Sequence, residues 1–372
     1  MGMRKMGINH IPEELIFTIL SLLPAKSLLL CTAVCKLWQS IISNPKFINT
    51  HLANSQKKQT RFSVLTTREG FPHYSKEEEE EEESVIILKL PPRSHFPGST
   101  CSVGSCNGLL CLSNSLAAII HVWNPSTKRL KMIPPPPKLI RVYQYYKSRL
   151  DFDPHFSFGF GYDSICNDYK ILIVLGYSHQ LVEAILYSSN ADSWKEIEVP
   201  KTVINTMLCN LPKCVQLKDD GVLYIDGRLV LLSFDLHNEV FGVKPYPLHH
   251  IAKSNALKFG DSVAMIFESS GDGSVSLWTL DDVCGSWTKK LNLDGAADWK
   301  RVRVPLILGV GQIVMREHVG GYFHDFYLYD YKKKNTKKIL SGETSHVQRT
   351  VLDEYTDSLV YLEGFQNEAE FE

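Results

Sequence analysis

Two patterns of apolar residues divide the chain. Over residues 11–43 they recur every three or four positions. After about residue 60 they come in short alternating or continuous runs, broken by Gly, Asn, Asp and Pro. The first pattern has helical periodicity; the second is that of strands joined by turns. Between Ile11 and Leu20, Pro12 sits in a first helical turn, followed by Glu13 and Glu14 where the helix dipole favours carboxylates. Leu23-Pro24 ends that helix. Ser27 is a good N-cap for the next, along which Leu28, Cys31, Cys35, Trp38 and Ile42 form one stripe. Leu30, Val34, Leu37 and Ile41 form a second stripe beside it. Two stripes exceed what a small helical unit needs for its own core, and a unit of ~40–45 residues buries too little surface to be robust alone. The helical module is therefore expected to dock on something else.

In the strand region five segments share one form: a strand ending in an aromatic, a polar turn, then a return strand. The aromatics are Trp123, Tyr187, Phe234, Trp278 and Tyr329, spaced by 64, 47, 44 and 51 residues. Removing a polar-aromatic insert, Lys138 to His155, shortens the first interval to about 46 residues. A repeat of about 45–50 residues with all-β character is propeller-blade spacing, and the length of the region predicts six blades. Val347–Leu352 and Ser358–Leu362 are expected to close the ring with Phe62–Thr66 and Val85–Leu90.

Composition narrows the chemistry. Forty basic against 41 acidic side chains in 372 residues leave a formal net charge of −1, which argues against a general polyanion binder. No apolar run reaches the ~18–20 residues of a membrane span, and Met1 to Asn9 lacks an apolar signal core. The nine cysteines include no Cys-x-x-Cys pair and are read as reduced, mostly buried residues of an intracellular protein, in the cytoplasm and/or nucleus. Nucleophile-elbow, zinc-protease and phosphate-loop motifs are lacking. His249-His250 has no third ligand at metal spacing, although histidines could still meet remote carboxylates in three dimensions. The expectation is a non-catalytic protein with no cofactor, no metal, and neither nucleic-acid nor membrane partner.

Residues 11–52 resemble an F-box, through Pro12, Glu14, Leu15, Ile19, Leu20, Leu23-Pro24, Ser27-Leu28, Val34-Cys35-Lys36, Trp38, Ile41-Ile42, Phe47 and His51-Leu52. The strand region resembles the F-box-associated, kelch- or propeller-like domain of plant F-box proteins. That likeness rests on Val103–Cys111, Trp123-Asn124-Pro125-Ser126-Thr127, Phe158–Asp163 with Asn167–Lys170, Ser193-Trp194 and Ser233-Phe234-Asp235. Where the family has a further strand, five residues separate Gly227 from Ser233, which predicts an incomplete third blade. The resemblance implies a small all-α module over residues 1–55, a linker with an acidic loop and ring-closing strands over 56–100, and a large all-β domain over 101–372. It further implies the substrate-recognition subunit of a Skp–cullin–F-box ubiquitin ligase, binding a Skp-type adaptor directly and the cullin and RING subunits indirectly. The alternatives are a scaffold outside a cullin ligase or, more remotely, a propeller enzyme.

On that reading Pro12, Leu15, Ile19, Leu20, Leu23, Pro24, Leu28, Val34, Cys35 and Trp38 contact the adaptor. Arg141, Tyr143, Tyr145, Tyr146 and Arg149, of the types that anchor interfaces, are candidate contacts to an unknown target protein. The run Glu77–Glu83 cannot bury itself and is read as a solvated loop insertion.

Overall fold

The computed structural model describes residues 11–57, 61–66, 85–89, 100–114, 119–140, 155–177, 181–204, 215–216, 221–226, 230–252, 254, 256–281, 284–293, 302–308, 311–320, 323–343 and 351–367. Four helices come first: α1 (Glu13–Ser21), α2 (Ala25–Cys31), α3 (Lys36–Ile42) and α4 (Pro45–Lys57). Pro12 and Pro24 occupy the N-cap positions of α1 and α2, their fixed φ setting each entry. Ser27 therefore lies inside α2 and does not cap it. The stripes predicted as one helix span two. Ala33 and Val34 donate their amides to Leu30 and Cys31 in tight i→i−3 turns, and Cys35 is fully extended before α3. Among the described residues no helix is long and apolar enough to cross a membrane.

The strands form radially arranged antiparallel sheets. The first blade contains β3 (Thr100–Cys106), β4 (Leu109–Asn114), β5 (Ile120–Asn124) and β6 (Arg129–Ile133); the second contains β7 (His155–Asp163), β8 (Asp168–Tyr177), β9 (Leu181–Ser188) and β10 (Ser193–Ile197). The third has β11 (Val215–Gln216), β12 (Val222–Asp226), β13 (Val230–Asp235) and β14 (Val240–Pro245). The fourth has β15 (His250–Ala252), β16 (Leu257–Phe259), β17 (Ser262–Ser269), β18 (Val275–Leu280) and β19 (Trp287–Asn292). The fifth has β20 (Val302–Leu308), β21 (Gln312–Gly320), β22 (Phe323–Asp330) and β23 (Asn335–Glu343).

Five blades thus stand in place of the six predicted. The ends of the propeller meet in a three-stranded sheet. In it β1 (Arg61–Thr66) pairs in parallel with β2 (Val85–Lys89) and antiparallel with β24 (Val351–Tyr355). Among the described residues no fourth strand joins that sheet, and Ser358–Leu362, expected as a closing strand, is instead a strap across the first blade. Asn124 Nδ2 donates to the carbonyls of Ser358 (3.1 Å) and Val360 (2.9 Å), and β25 (Gln366–Asn367) then adds to the edge of β6. The third blade is not short of a strand: β12 and β13 pair directly, and the reduction falls on β11, which is two residues long.

The repeat seen in the sequence has a local cause. Each marker aromatic lies in the third strand of its blade, and a capped turn follows. Asn124 Oδ1 accepts the amides of Ser126 and Thr127, Asp235 Oδ1 those of His237 and Asn238, and Asp330 Oδ1 those of Lys332 and Lys333. Five positions after the aromatic, Lys128, Asp192, Glu239 and Lys334 take left-handed φ values of 47–60° to complete the reversal. Within a blade the marker aromatic then packs on its cross-strand neighbour: Tyr187 lies 5.2 Å from Trp194, and Phe234 lies 4.8 Å from Phe241.

Two expectations need correction here. Leu139, counted within the polar insert, is buried against the first and second blades, while Lys138 pairs with Glu183 (3.2 Å) and Glu196 (3.0 Å). Of Cys31, Cys35, Cys106, Cys111, Cys166 and Cys284, all free thiols, only Cys111 is buried; Cys35, Cys166 and Cys284 are exposed.

Candidate functional site

The helical module closes its core on Leu20, Ala25, Leu28, Ile41, Ile42 and Phe47. Phe17 packs edge-on to Phe47 at 5.1 Å. His51 is buried, with Nε2 2.9 Å from the Leu23 carbonyl, and Asn54 Nδ2 donates to the Ser21 carbonyl, so α4 straps the end of α1. That core uses one stripe and leaves the other outside. Leu15, Ile19 and Leu22 stand exposed along α1, with Ile11 just before it. Leu30 (77 % exposed), Val34 (62 %) and Leu37 continue the apolar surface over α2 and α3. Within a module of about 45 residues this is far more than the singly scattered apolar exposure of an ordinary surface.

The predicted adaptor residues divide accordingly. Pro12, Leu15, Ile19, Pro24, Val34 and Cys35 are exposed; Leu23 and Trp38 are half-buried. Leu20 (1 % exposed) and Leu28 (0 %) belong to the module's own core and cannot face a partner without unpacking it. Ile11, Leu22, Leu30 and Leu37 were missing from that set, although the second stripe already marked Leu30 and Leu37. Ile41, the last member of that stripe, is buried. Arg141, Tyr143, Tyr145, Tyr146 and Arg149 lie outside the described residues, as does Glu77–Glu83.

The module does not hang free. Ile48 and Leu52 of α4 pack into the core shared by the first two blades, and Leu359 of the strap enters the helical core. Gln56 Nε2 donates to Asn107 Oδ1 (3.2 Å), and Asn107 Nδ2 donates to Tyr169 Oη (3.1 Å), linking α4 to the turns that close β3–β4 and β7–β8. The strap fits closely: Gly108 has φ +79°, and a Cβ there would lie 2.3 Å from Ser358 Cβ. Helices, strap and first blade form one packed unit.

Beside that interface the second and third blades are joined by a charged cluster. The Lys170 ammonium, buried, donates to Asp163 Oδ2 (3.1 Å), Glu239 Oε1 (3.3 Å) and the Leu236 carbonyl (2.5 Å). Burial would lower the lysine's pKa, but the hydrogen bonds to Asp163 and Glu239 outweigh it and hold the pKa above its ordinary value. Asp163 is held below the usual carboxylate range: burial opposes this, but the Cys166 amide and Lys170 prevail. Lys195 completes the cluster on Glu239 at 2.5 Å.

Comparison with known proteins agrees with the two-part layout. Residues 53–362 match the F-box associated beta propeller domain and residues 8–52 match the F-box-like family. The chain belongs to the F-box proteins that carry an F-box-associated β-propeller. An F-box/kelch-repeat protein of Arabidopsis thaliana is 24 % identical over 84 % of this chain and 86 % of its own length. A putative F-box protein of the same plant is 27 % identical over 96 % of this chain and 100 % of its own. Among solved structures, oligogalacturonate lyase from Vibrio parahaemolyticus aligns at 9 % identity and a TM-score of 0.38, over 68 % of this chain and 75 % of that one. That score is too low to bear on function.

Proposed function

We propose that this protein is the substrate receptor of a Skp–cullin–F-box ubiquitin ligase, acting inside the cell, in the cytoplasm and/or nucleus. The reading rests on one observation above others: the many exposed apolar side chains of α1–α3 and their connections, on a module that matches the F-box-like family. In this reading the chain performs no chemistry. It raises the effective concentration of a target's lysines near the ubiquitin carrier by holding both on one body. The packing of α4 on the propeller supports that role, because a fixed distance between adaptor and target is what such positioning needs.

The target face is proposed to be the one away from α4. The β3–β4 and β7–β8 turns face the helices, so β6 ends and β7 begins at the opposite rim. The connection between those strands carries Arg141, Tyr143, Tyr145, Tyr146 and Arg149, which we propose as target contacts. Co-purification of the full chain with a Skp-type adaptor and cullin tests the reading. Retention of adaptor and cullin is expected. Adaptor without cullin would favour a scaffold outside the ligase, and failure to bind adaptor would end the proposal.

A further inference from the structure

Asp163, Cys166 and His237 converge where the β7–β8 turn of the second blade meets the β13–β14 turn of the third. Their ligand atoms all lie within 4.8 Å of one another. Cys166 Sγ is 3.6 Å from His237 Nδ1, and His237 Nδ1 is 3.5 Å from Asp163 Oδ2. A tetrahedral zinc ion with bonds of about 2.3 Å to sulfur and 2.0–2.1 Å to nitrogen and oxygen sets neighbouring ligands roughly 3.3–3.6 Å apart. The two distances from His237 Nδ1 already match that separation, and the third pair lies within 4.8 Å. The geometry points to a zinc-type divalent cation site that staples the two blades together through one thiolate, one imidazole and one carboxylate, with the fourth position open to water.

Three further features bear on the site. First, the donors are pre-positioned by the turns. Asp163 Oδ1 accepts the Ile165 and Cys166 amides, which fixes the carboxylate and leaves Oδ2 turned toward His237; Asp235 Oδ1 caps the His237 turn in the same way. Second, the charges allow a cation. Lys170 and Lys195 are matched by Asp163 and Glu239, so no net positive charge opposes the ion, and the Cys166 thiolate would add a negative one. Lys170 becomes an outer-shell donor to a bound carboxylate, a common way of orienting a ligand. Third, the donor set is selective: sulfur with imidazole favours zinc over calcium or magnesium, which prefer oxygen alone. On binding, the thiol proton is released to solvent, so the uptake of metal is coupled to pH.

Cobalt(II), as a spectroscopic stand-in, and zinc would be titrated into the purified full chain. One equivalent of cobalt should give tetrahedral ligand-field bands with a thiolate-to-cobalt charge-transfer band, and zinc should displace it. Cys166→Ser and His237→Ala alter exposed side chains, so both variants should melt like the metal-free parent while losing at least tenfold in cobalt affinity. Absence of the charge-transfer band in the parent would overturn the site. So would cobalt affinity left unchanged in either variant; an unchanged band in Cys166→Ser would assign the metal to other cysteines. The outcome is independent of adaptor binding.

Discussion

The helical module and the propeller treat apolar surface in opposite ways. In the propeller most apolar side chains of the described strands are buried, with Leu248, Val240 and Val319 among the exposed ones. In the module, Leu20, Leu28, Ile41, Ile42 and Phe47 make the core, while Leu15, Ile19, Leu22, Leu30, Val34 and Leu37 stay in water. Exposure on that scale is costly at roughly 25 cal/mol per Å², and covering it would stabilise a complex by the same measure. The described part of the propeller thus buries most of its apolar surface within itself, whereas the module closes its core only on the side where α4 and the strap join it to the first blade.

The contrast can be tested by substitution. Leu30→Asp with Val34→Asp should weaken adaptor binding at least ~100-fold while the melting temperature stays within a degree or two, since both side chains face water. Leu28→Ala should do the reverse, costing about 2–5 kcal/mol by leaving a cavity in the module's core, read by denaturant unfolding. Unchanged stability there would mean that the module is not packed as described. Asn124→Ala removes two donors from the strap and leaves the Ser358 and Val360 carbonyls unpaired, for a loss of about 2–4 kcal/mol and faster proteolysis of the C-terminal residues.

A smaller effect separates the propeller by pH. Burial pushes the Asp226 carboxyl from 3.8 to about 6, against the opposing hydrogen bond that Tyr246 donates to it. Between those pH values the folded protein keeps a proton that the unfolded chain has lost, so this group's contribution falls as pH rises through the window. Asp226→Asn does not titrate, so it should gain up to about 3 kcal/mol over the parent between pH 4 and pH 7, seen as a converging pair of melting curves in acid. At the low end, Leu248→Ser should change stability by less than about 0.5 kcal/mol, because its side chain is 83 % exposed.

Much of this was legible along the chain because it is local. Pro12, Glu13 and Glu14 start α1 by backbone geometry and dipole, with no help from distant residues. The marker aromatics Trp123, Tyr187, Phe234 and Tyr329 fell in third strands because the Asn, Ser or Asp after each caps a short reversal, while after Trp278 the cap is Asp281. What failed depended on distance. Ser358–Leu362 has strand character by itself, but Asn124, more than 230 residues earlier in sequence, offers its carbonyls a different partner. Leu20 and Leu28 looked no different from Leu15 and Leu30 in a periodic pattern. Which stripe turns inward is decided by Phe47, Ile42 and Leu359 closing over one of them. Cys166 and His237, 71 residues apart, share no motif at all.

The sequence by itself therefore determined the helical and strand regions, the turn chemistry and the spacing of the repeat, since each follows from neighbours within a few residues. Tertiary structure alone decided the number of complete blades, the face left exposed on the helices, the clamping of the module by the strap, and the meeting of Asp163, Cys166 and His237. Those depend on which distant groups satisfy buried polar atoms and fill space, and that competition is settled only when the chain is closed on itself.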